Sequence, residues 1–239
     1  MGIMKKLFLI LILIFCVSTV FAQNYFVQSP ENPNIKIREE RTLFILDFSN
    51  SMNEYINSGK KIDTMLDTMR SILPKINPQN EVGMRAYGYR VGFTPYDSCK
   101  ASKLMVPVIK GGSSMISRQL EKTRAVGMTP ITYSLKLALN KDFEGYMGQK
   151  HIVLLTDGGE NCDESPCVFM MKNLKYYPNV KIDVIAYDIK NNDDISQLEC
   201  VALVTRGRFY TANTAIELAN SLSNSLNIKK DVEAKIIMP

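Results

Sequence analysis

Leu43-Phe44-Ile45-Leu46-Asp47-Phe48-Ser49-Asn50-Ser51-Met52 is the stretch on which the reading of this chain turns. Its continuous apolar run, bounded by charge at Arg41, predicts a strand buried on both faces. The run ends on a carboxylate and then offers two hydroxyls at alternate positions, Asp-x-Ser-x-Ser. Ligand sites of open α/β sheets lie outside the carboxyl ends of the strands, so the position of this motif matters as much as its composition. One Asp and two Ser oxygens supply about half the shell of a small hard cation, which prefers oxygen ligands. The other oxygens must come from further loops at the same sheet edge.

Two later stretches offer them: Gly127-Met128-Thr129-Pro130-Ile131 and Leu154-Leu155-Thr156-Asp157-Gly158. Each alone has a bland reading. Asp, Ser and Asn crowd helix starts as caps, Thr129 before Pro130 is a good cap, and Asp157-Gly158 is a good turn. In this order, each at a strand or helix junction, the three resemble the von Willebrand factor type A (VWA) domain, over about residues 40 to 227. The likeness is to secreted bacterial members with a Cys-bearing loop after the Thr-Asp-Gly strand. In that family three loops build a metal-ion-dependent adhesion site (MIDAS). The resemblance therefore implies Asp47, Ser49, Ser51, Thr129 and Asp157 as metal ligands, and a partner protein that presents an Asp or Glu to the ion. Two carboxylates and three neutral hydroxyls suit Mg²⁺, with Mn²⁺ or Ca²⁺ as substitutes, and leave the ion electron-poor and receptive to one more carboxylate. The family's route to switching affinity is a change of Asp157 from water-mediated to direct coordination.

A chain of 239 residues, 46% hydrophobic and 22% charged, suits one α/β domain with a two-sided core. Part of its net charge of +5 comes from Lys5 and Lys6. So mild a balance, with no basic clusters interleaved with aromatics, argues against a nucleic-acid partner. Residues 1–22 read as a secretory signal: Lys5-Lys6 form the positive end, Leu7 to Val20 the apolar stretch, and Val20-Phe21-Ala22 precedes a cleavage point before Gln23. Its rivals are an uncut anchor, for which the apolar run is short of ~20 residues, and a lipid-modified Cys16, for which Leu13-Ile14-Phe15 lacks the small residues required. The expectation is an exported protein, periplasmic, surface-bound or extracellular, whose mature chain does not insert into a membrane.

Export makes the remaining cysteines legible. Cys99, Cys162, Cys167 and Cys200 are even in number, as befits disulfides in an oxidising compartment. Cys162 and Cys167 can close a local loop around Asp163-Glu164-Ser165-Pro166. Equally, Cys99 can join Cys162 at the metal-bearing edge while Cys167 and Cys200 staple two helices. A zinc site is the weaker alternative, because His151 is the single histidine and the spacings lack paired knuckles.

Along the chain, a polar arm over residues 23–40 leads into the first strand. A helix is expected from about Lys60 to Ile76, ended or kinked by Pro74, then a strand from Glu81 to Tyr89. A loop from Arg90 to Lys103 precedes an edge strand from Leu104 to Ile109, where Pro107 is tolerable. Helices follow near Ser114–Ala125 and Pro130–Asn140, then a strand from His151 to Thr156 and a helix from Pro166. Val180–Tyr187 and Arg208–Thr211 read as strands, Ile195–Thr205 and Ala215–Leu226 as helices, and 228–239 as a tail. Strands alternating with helices imply a three-layer, doubly wound (Rossmann-like) α/β fold, with a mostly parallel six-stranded sheet and one antiparallel edge strand.

Other residues are weighed more briefly. Glu160, Asp163 and Glu164 read as solvated loop acids rather than extra ligands. Tyr87, Tyr89, Arg90, Phe93 and Tyr96 form an aromatic-rich stretch suited to partner specificity. His151 reads as structural or surface, and with no second histidine there is no Ser-His-Asp triad. Asp47 as a phosphoryl-accepting nucleophile lacks the second Asp two residues on, where Ser49 stands, and no phosphate-cradling glycine loop is present. The expectation is a binding module and not an enzyme. The alternative is a disulfide-stapled structural subunit of an envelope complex with a non-adhesive metal site.

Overall fold

The strand expected at Leu43 runs from Arg41 to Asp47 and lies in the interior of the sheet, every residue after Arg41 buried. The computed structural model describes residues 40–57 and 59–228. The expected leader, the arm up to residue 39 and the tail beyond residue 228 lie outside the described residues. The described residues belong to one unit, Arg38–Pro239.

In chain order the elements are β1 (Arg41–Asp47), a minute hairpin of β2 (Tyr55–Ile56) and β3 (Gly59–Lys60), α1 (Lys61–Ile72), β4 (Glu81–Tyr87), α2 (Pro95–Ser98), β5 (Ser102–Lys110), α3 (Gly112–Leu120), α4 (Ile131–Leu137), β6 (Lys150–Thr156), α5 (Pro166–Asn173), β7 (Val180–Tyr187), α6 (Asn192–Val204), β8 (Phe209–Ala212) and α7 (Ala215–Ser225). The six-stranded sheet has the order β5-β4-β1-β6-β7-β8. Its pairings are parallel except β4–β5, which is antiparallel and bulged between Val82 and Arg85. This is the anticipated fold class. Pro107 sits exposed on β5, the edge strand, where its missing N–H costs no ladder bond.

The alternation of side chains along β1 builds two cores. Phe44 and Leu46 join Met65 and Met69 of α1, Ile116 and Leu120 of α3, and Leu218 and Leu222 of α7. Leu43 and Ile45 join Ile131 and Leu135 of α4, Phe169 and Met170 of α5, and Leu198 and Val201 of α6 on the other face. Neither face meets water, which is why the central runs 43–46 of β1 and 152–155 of β6 are wholly apolar and do not alternate.

Boundaries moved where local chemistry overrode periodicity. The first helix leaves α geometry at Ile72, and Pro74 sits in a 3-10 turn, Leu73–Lys75. The loop before β5 contains α2, started by a capping box between Thr94 and Asp97. The last turns of the Pro130 helix widen into a π turn, Ala138–Asp142. Asp142 there forms a buried ion pair with Arg85 of β4 at 2.6 Å.

His151, at the start of β6, is structural. It is enclosed in the described fold between Glu40 (3.3 Å) and Asp183 (3.1 Å). Burial alone would lower its pKa, but its bonds to Asp183 and Glu40 outweigh that and hold it above the usual histidine range. A cavity lined by Glu40, Thr42, His151 and Leu226 opens at this end, where the parallel strands begin. The Asp47 motif lies at the opposite end. Among the described residues no helix is long and apolar enough to cross a membrane.

Candidate metal centre

β1 and β6 are parallel neighbours in register, so their carboxyl ends deliver Asp47 and Thr156-Asp157 to the same place. Asp47 is wholly buried. Its Oδ1 accepts the Ser49 N–H at 2.7 Å; its Oδ2 accepts the Thr156 hydroxyl at 2.8 Å and the Asp157 N–H at 3.4 Å. Ser49 and Ser51 share a hydroxyl hydrogen bond of 2.9 Å, and Ser51 donates to Asp157 Oδ1 at 2.7 Å. Neither serine spends its side chain on capping the 3-10 turn Asn50–Asn53. Four of the five expected ligands therefore form one connected constellation.

Thr129 reaches the same edge by a different route. Gly127 bridges to Ser49 in a parallel β-bridge, with Asn50 N–H donating to Gly127 O at 2.9 Å. Gly88 O accepts the N–H groups of both Val126 (3.2 Å) and Gly127 (2.7 Å), tying in the end of β4. Gly88 has φ +69°, and a Cβ there would stand 2.6 Å from Ser49 N, so the three loops meet only around a glycine. Thr129 does not bond to the other four residues. Its N–H donates to Asn161 Oδ1 at 2.9 Å, and the Asn161 amide approaches its hydroxyl at 3.5 Å. Nor does it cap α4; Glu160 accepts the Thr132 N–H at that helix start.

Two buried carboxylates this close repel each other. Burial raises the Asp47 pKa against its bonds from Ser49 and Thr156. Burial, and then the charge of Asp47, push Asp157 up to about 6 against the bonds from Ser51 and Lys61. Lys61, at the first position of α1, is only 4% exposed. Its ammonium lies 3.1 Å from Asp157, 2.9 Å from Glu54 and 3.7 Å from Asp188. The Tyr87 hydroxyl is buried without a well-formed hydrogen bond and feels both Asp47 and Thr156. An oxygen-only donor set, two mutually repelling buried carboxylates and serine lone pairs form a hole short of positive charge. This chemistry fits a small divalent cation. Among the described residues no three His, Cys, Asp or Glu side chains form a metal cluster, so hydroxyls must complete this set.

The surrounding loops are stapled. Cys99 pairs with Cys162, and Cys167 with Cys200, across Cα separations of 5.4 and 5.5 Å. The first joins the α2–β5 loop to the loop after Asp157, and the second joins α5 to α6. The local Cys162–Cys167 loop does not form. Glu160 differs from the solvated acid expected: it accepts N–H groups of Thr132, Cys162 and Asp163 and so organises its loop. Asp163 and Glu164 pair with Lys136 of α4 at 2.8 and 3.4 Å. The aromatic stretch divides. Tyr87 is core, and cannot meet a partner; Tyr89 is half-buried against the core, while Phe93 and Tyr96 stand out in solvent, Phe93 completely. Lys61, Thr156, Glu160 and Asn161 were not picked out from sequence as parts of the site. The one available signal was Lys60-Lys61 at a helix start, where cations oppose the helix dipole.

No protein-family model matches the chain. It is 26% identical over 174 residues to the uncharacterized protein YwmC of Bacillus subtilis, spanning 71% of this chain and 75% of that protein. Its fold is similar to a von Willebrand factor type A protein from Catenulispora acidiphila (TM-score 0.62, 15% identity, 79% of this chain and 42% of that one). It is similar also to the Rpn10 VWA domain (TM-score 0.60, 15% identity, 79% and 96%). A third likeness is to proximal thread matrix protein 1 of the mussel byssus with a zinc-occupied MIDAS motif (TM-score 0.57, 18% identity, 80% and 48%). The chain thus spans less than half of the mussel and Catenulispora proteins. Its architecture is that of the VWA domains, a six-stranded, mostly parallel sheet between helices.

Proposed function

We propose that this protein is an exported, metal-dependent protein-binding module, an adhesion-type VWA domain. The observation that carries the reading is the connected Asp47–Ser49–Ser51–Asp157 constellation at the carboxyl ends of β1 and β6, with the Thr129 loop bridged to it through Gly127. Asp47, Ser49, Ser51, Thr129 and Asp157 would hold the ion, Mg²⁺ by preference. When bound, the ion supplies a Lewis-acidic position for an Asp or Glu of a partner protein. Ser51, by donating to Asp157, keeps its lone pairs turned away from that carboxylate and available as ligand. Asp157, which accepts from Ser51 and Lys61, would complete the set as the second carboxylate.

Neighbours with related names support the adhesive reading: the mussel matrix protein with its zinc-occupied motif, and the pilus adhesin SpaC of Lactobacillus rhamnosus GG. The leader-like residues 1–22 and two disulfides support export. The hydroxyl-rich donor set favours binding over catalysis. The stapled loops favour a second reading, a structural envelope subunit whose metal only ties three loops together.

The test is a titration of Mg²⁺ and Mn²⁺ into metal-stripped protein, followed by thermal unfolding, with Asp47→Ala and Asp157→Ala alongside. A ligand of the folded state raises the melting temperature with concentration. A rise in the parent that both variants lack supports the metal site; a flat response in the parent at millimolar metal refutes it.

A further inference from the structure

We propose that Lys61 is the resident counter-cation of this site, and that it holds metal affinity down so that a bound ion keeps its appetite for a partner carboxylate. The inference rests on the metal-site reading above and assigns to it a residue outside the expected ligand set.

Lysine is almost never fully buried unless paired, and a cation at the first turn of a helix opposes the helix dipole. Lys61 bears both costs. It opens α1 and is 4% exposed. Its stem does not simply fill core: the ammonium is aimed at Asp157 Oδ2 (3.1 Å), with Glu54 Oε2 at 2.9 Å and Asp188 Oδ2 at 3.7 Å. Asp188 has a second cation, Lys190, at 2.6 Å, and Glu54 is largely in solvent. Asp157, whose side chain is fully enclosed, has only Lys61 as a cationic partner among the described residues. The backbone ensures the reach: the Lys61 N–H donates to Glu54 O at 3.0 Å, closing the β2–β3 hairpin that delivers the side chain.

Charge counting gives the consequence. Asp47 and Asp157 alone would neutralise a divalent ion. Counted over Asp47, Asp157 and Lys61, the same ion sits among groups that leave one net positive charge, which Glu54, largely in solvent, offsets only in part. Metal is then held less tightly, and an incoming carboxylate is attracted more strongly. Lys61 exchanges metal affinity for ligand affinity.

The experiment uses the full chain, with Mn²⁺ as the metal probe and acetate as the carboxylate probe. Free Mn²⁺ is counted by its electron paramagnetic resonance signal, and acetate binding is followed by the change in water-proton relaxation of bound Mn²⁺. Lys61→Met and Lys61→Gln, checked for folding by circular dichroism, should bind Mn²⁺ about tenfold more tightly or better than the parent and acetate correspondingly less. Lys61→Arg, which keeps the charge, should stay within about threefold of the parent. Equal or weaker Mn²⁺ binding by both folded, uncharged variants overturns the role of Lys61 while leaving the metal site standing. Absence of Mn²⁺ binding in the parent and in every variant overturns the metal reading itself.

Discussion

Replacing Asp157 by Asn should stabilise the metal-stripped protein at neutral pH, although Asp157 sits at the centre of the site. Its carboxyl is raised from 3.8 to about 6 by burial and by the charge of Asp47, which together exceed the help from Ser51 and Lys61. At pH 7.5 the ionised form in the fold is therefore disfavoured by about 3 kcal/mol relative to the unfolded chain. Asn mimics the protonated acid and escapes that cost. The sign is set by the raised value: the folded state binds the proton more tightly, so the parent gains stability as pH falls from about 6 towards 3.8. Below that range both states are protonated and the two proteins should converge. The expected gain at pH 7.5 is about 6–12 °C in melting temperature for a domain of this size. Urea unfolding in EDTA at pH 7.5 and pH 4.0 reads both arms. Saturating Mg²⁺ should then close the gap, since it stabilises the parent by about 2.7 kcal/mol at a hundredfold excess over Kd and leaves the variant unmoved. An Asn variant no more stable than the parent at pH 7.5 in chelator would refute the reasoning: the Lys61 ion pair would then outweigh burial and repulsion.

Three further outcomes follow from the same geometry. Arg85→Met leaves Asp142 buried without its 2.6 Å partner and should cost about 3–5 kcal/mol in urea unfolding, with no pH-independent rescue by salt. Gly88→Ala drives a Cβ against Ser49 N at positive φ; it should lower Mn²⁺ affinity at least tenfold by equilibrium dialysis while the far-ultraviolet dichroism stays native. Cys99→Ser with Cys162→Ser opens a link between residues 63 apart and should lower stability by about 4 kcal/mol, read by thermal unfolding with the other disulfide intact.

The mostly parallel sheet with its antiparallel edge strand and the two-sided core were within reach of pattern reading because they rest on short-range signals, whereas the strand order is known only from the structure. The buried run at Leu43, the Asp-x-Ser-x-Ser turn that follows it and the proline at the edge strand each state their environment in a few residues. Asp47, Ser49, Ser51 and Asp157 come together because parallel register brings equivalent strand ends side by side. Lys61 was hidden for the opposite reason. Lys60 and Lys61 look alike in sequence, and only the hairpin Tyr55–Lys60 decides which one is swung under the fold. Tyr87 misled in the same way: as the end of a central strand it pairs with Asp47 itself, so its ring belongs to the core and not to the aromatic rim. Glu160 looked like one more loop acid because hydrogen bonds to backbone N–H groups leave no trace in composition. The cysteine pairing was equally open, since the α2–β5 loop and the loop after Asp157 meet only once the sheet is formed.

The most direct measurement is a crystal of the protein grown with Mn²⁺, with anomalous scattering recorded on either side of the manganese edge. A single strong peak is expected against Asp47, Ser49 and Ser51, on the side from which Thr129 and Asp157 approach, and absent from crystals of Asp47→Ala. A peak elsewhere on the molecule, or none at these residues at millimolar Mn²⁺, would contradict a metal-dependent binding site at the carboxyl ends of β1 and β6.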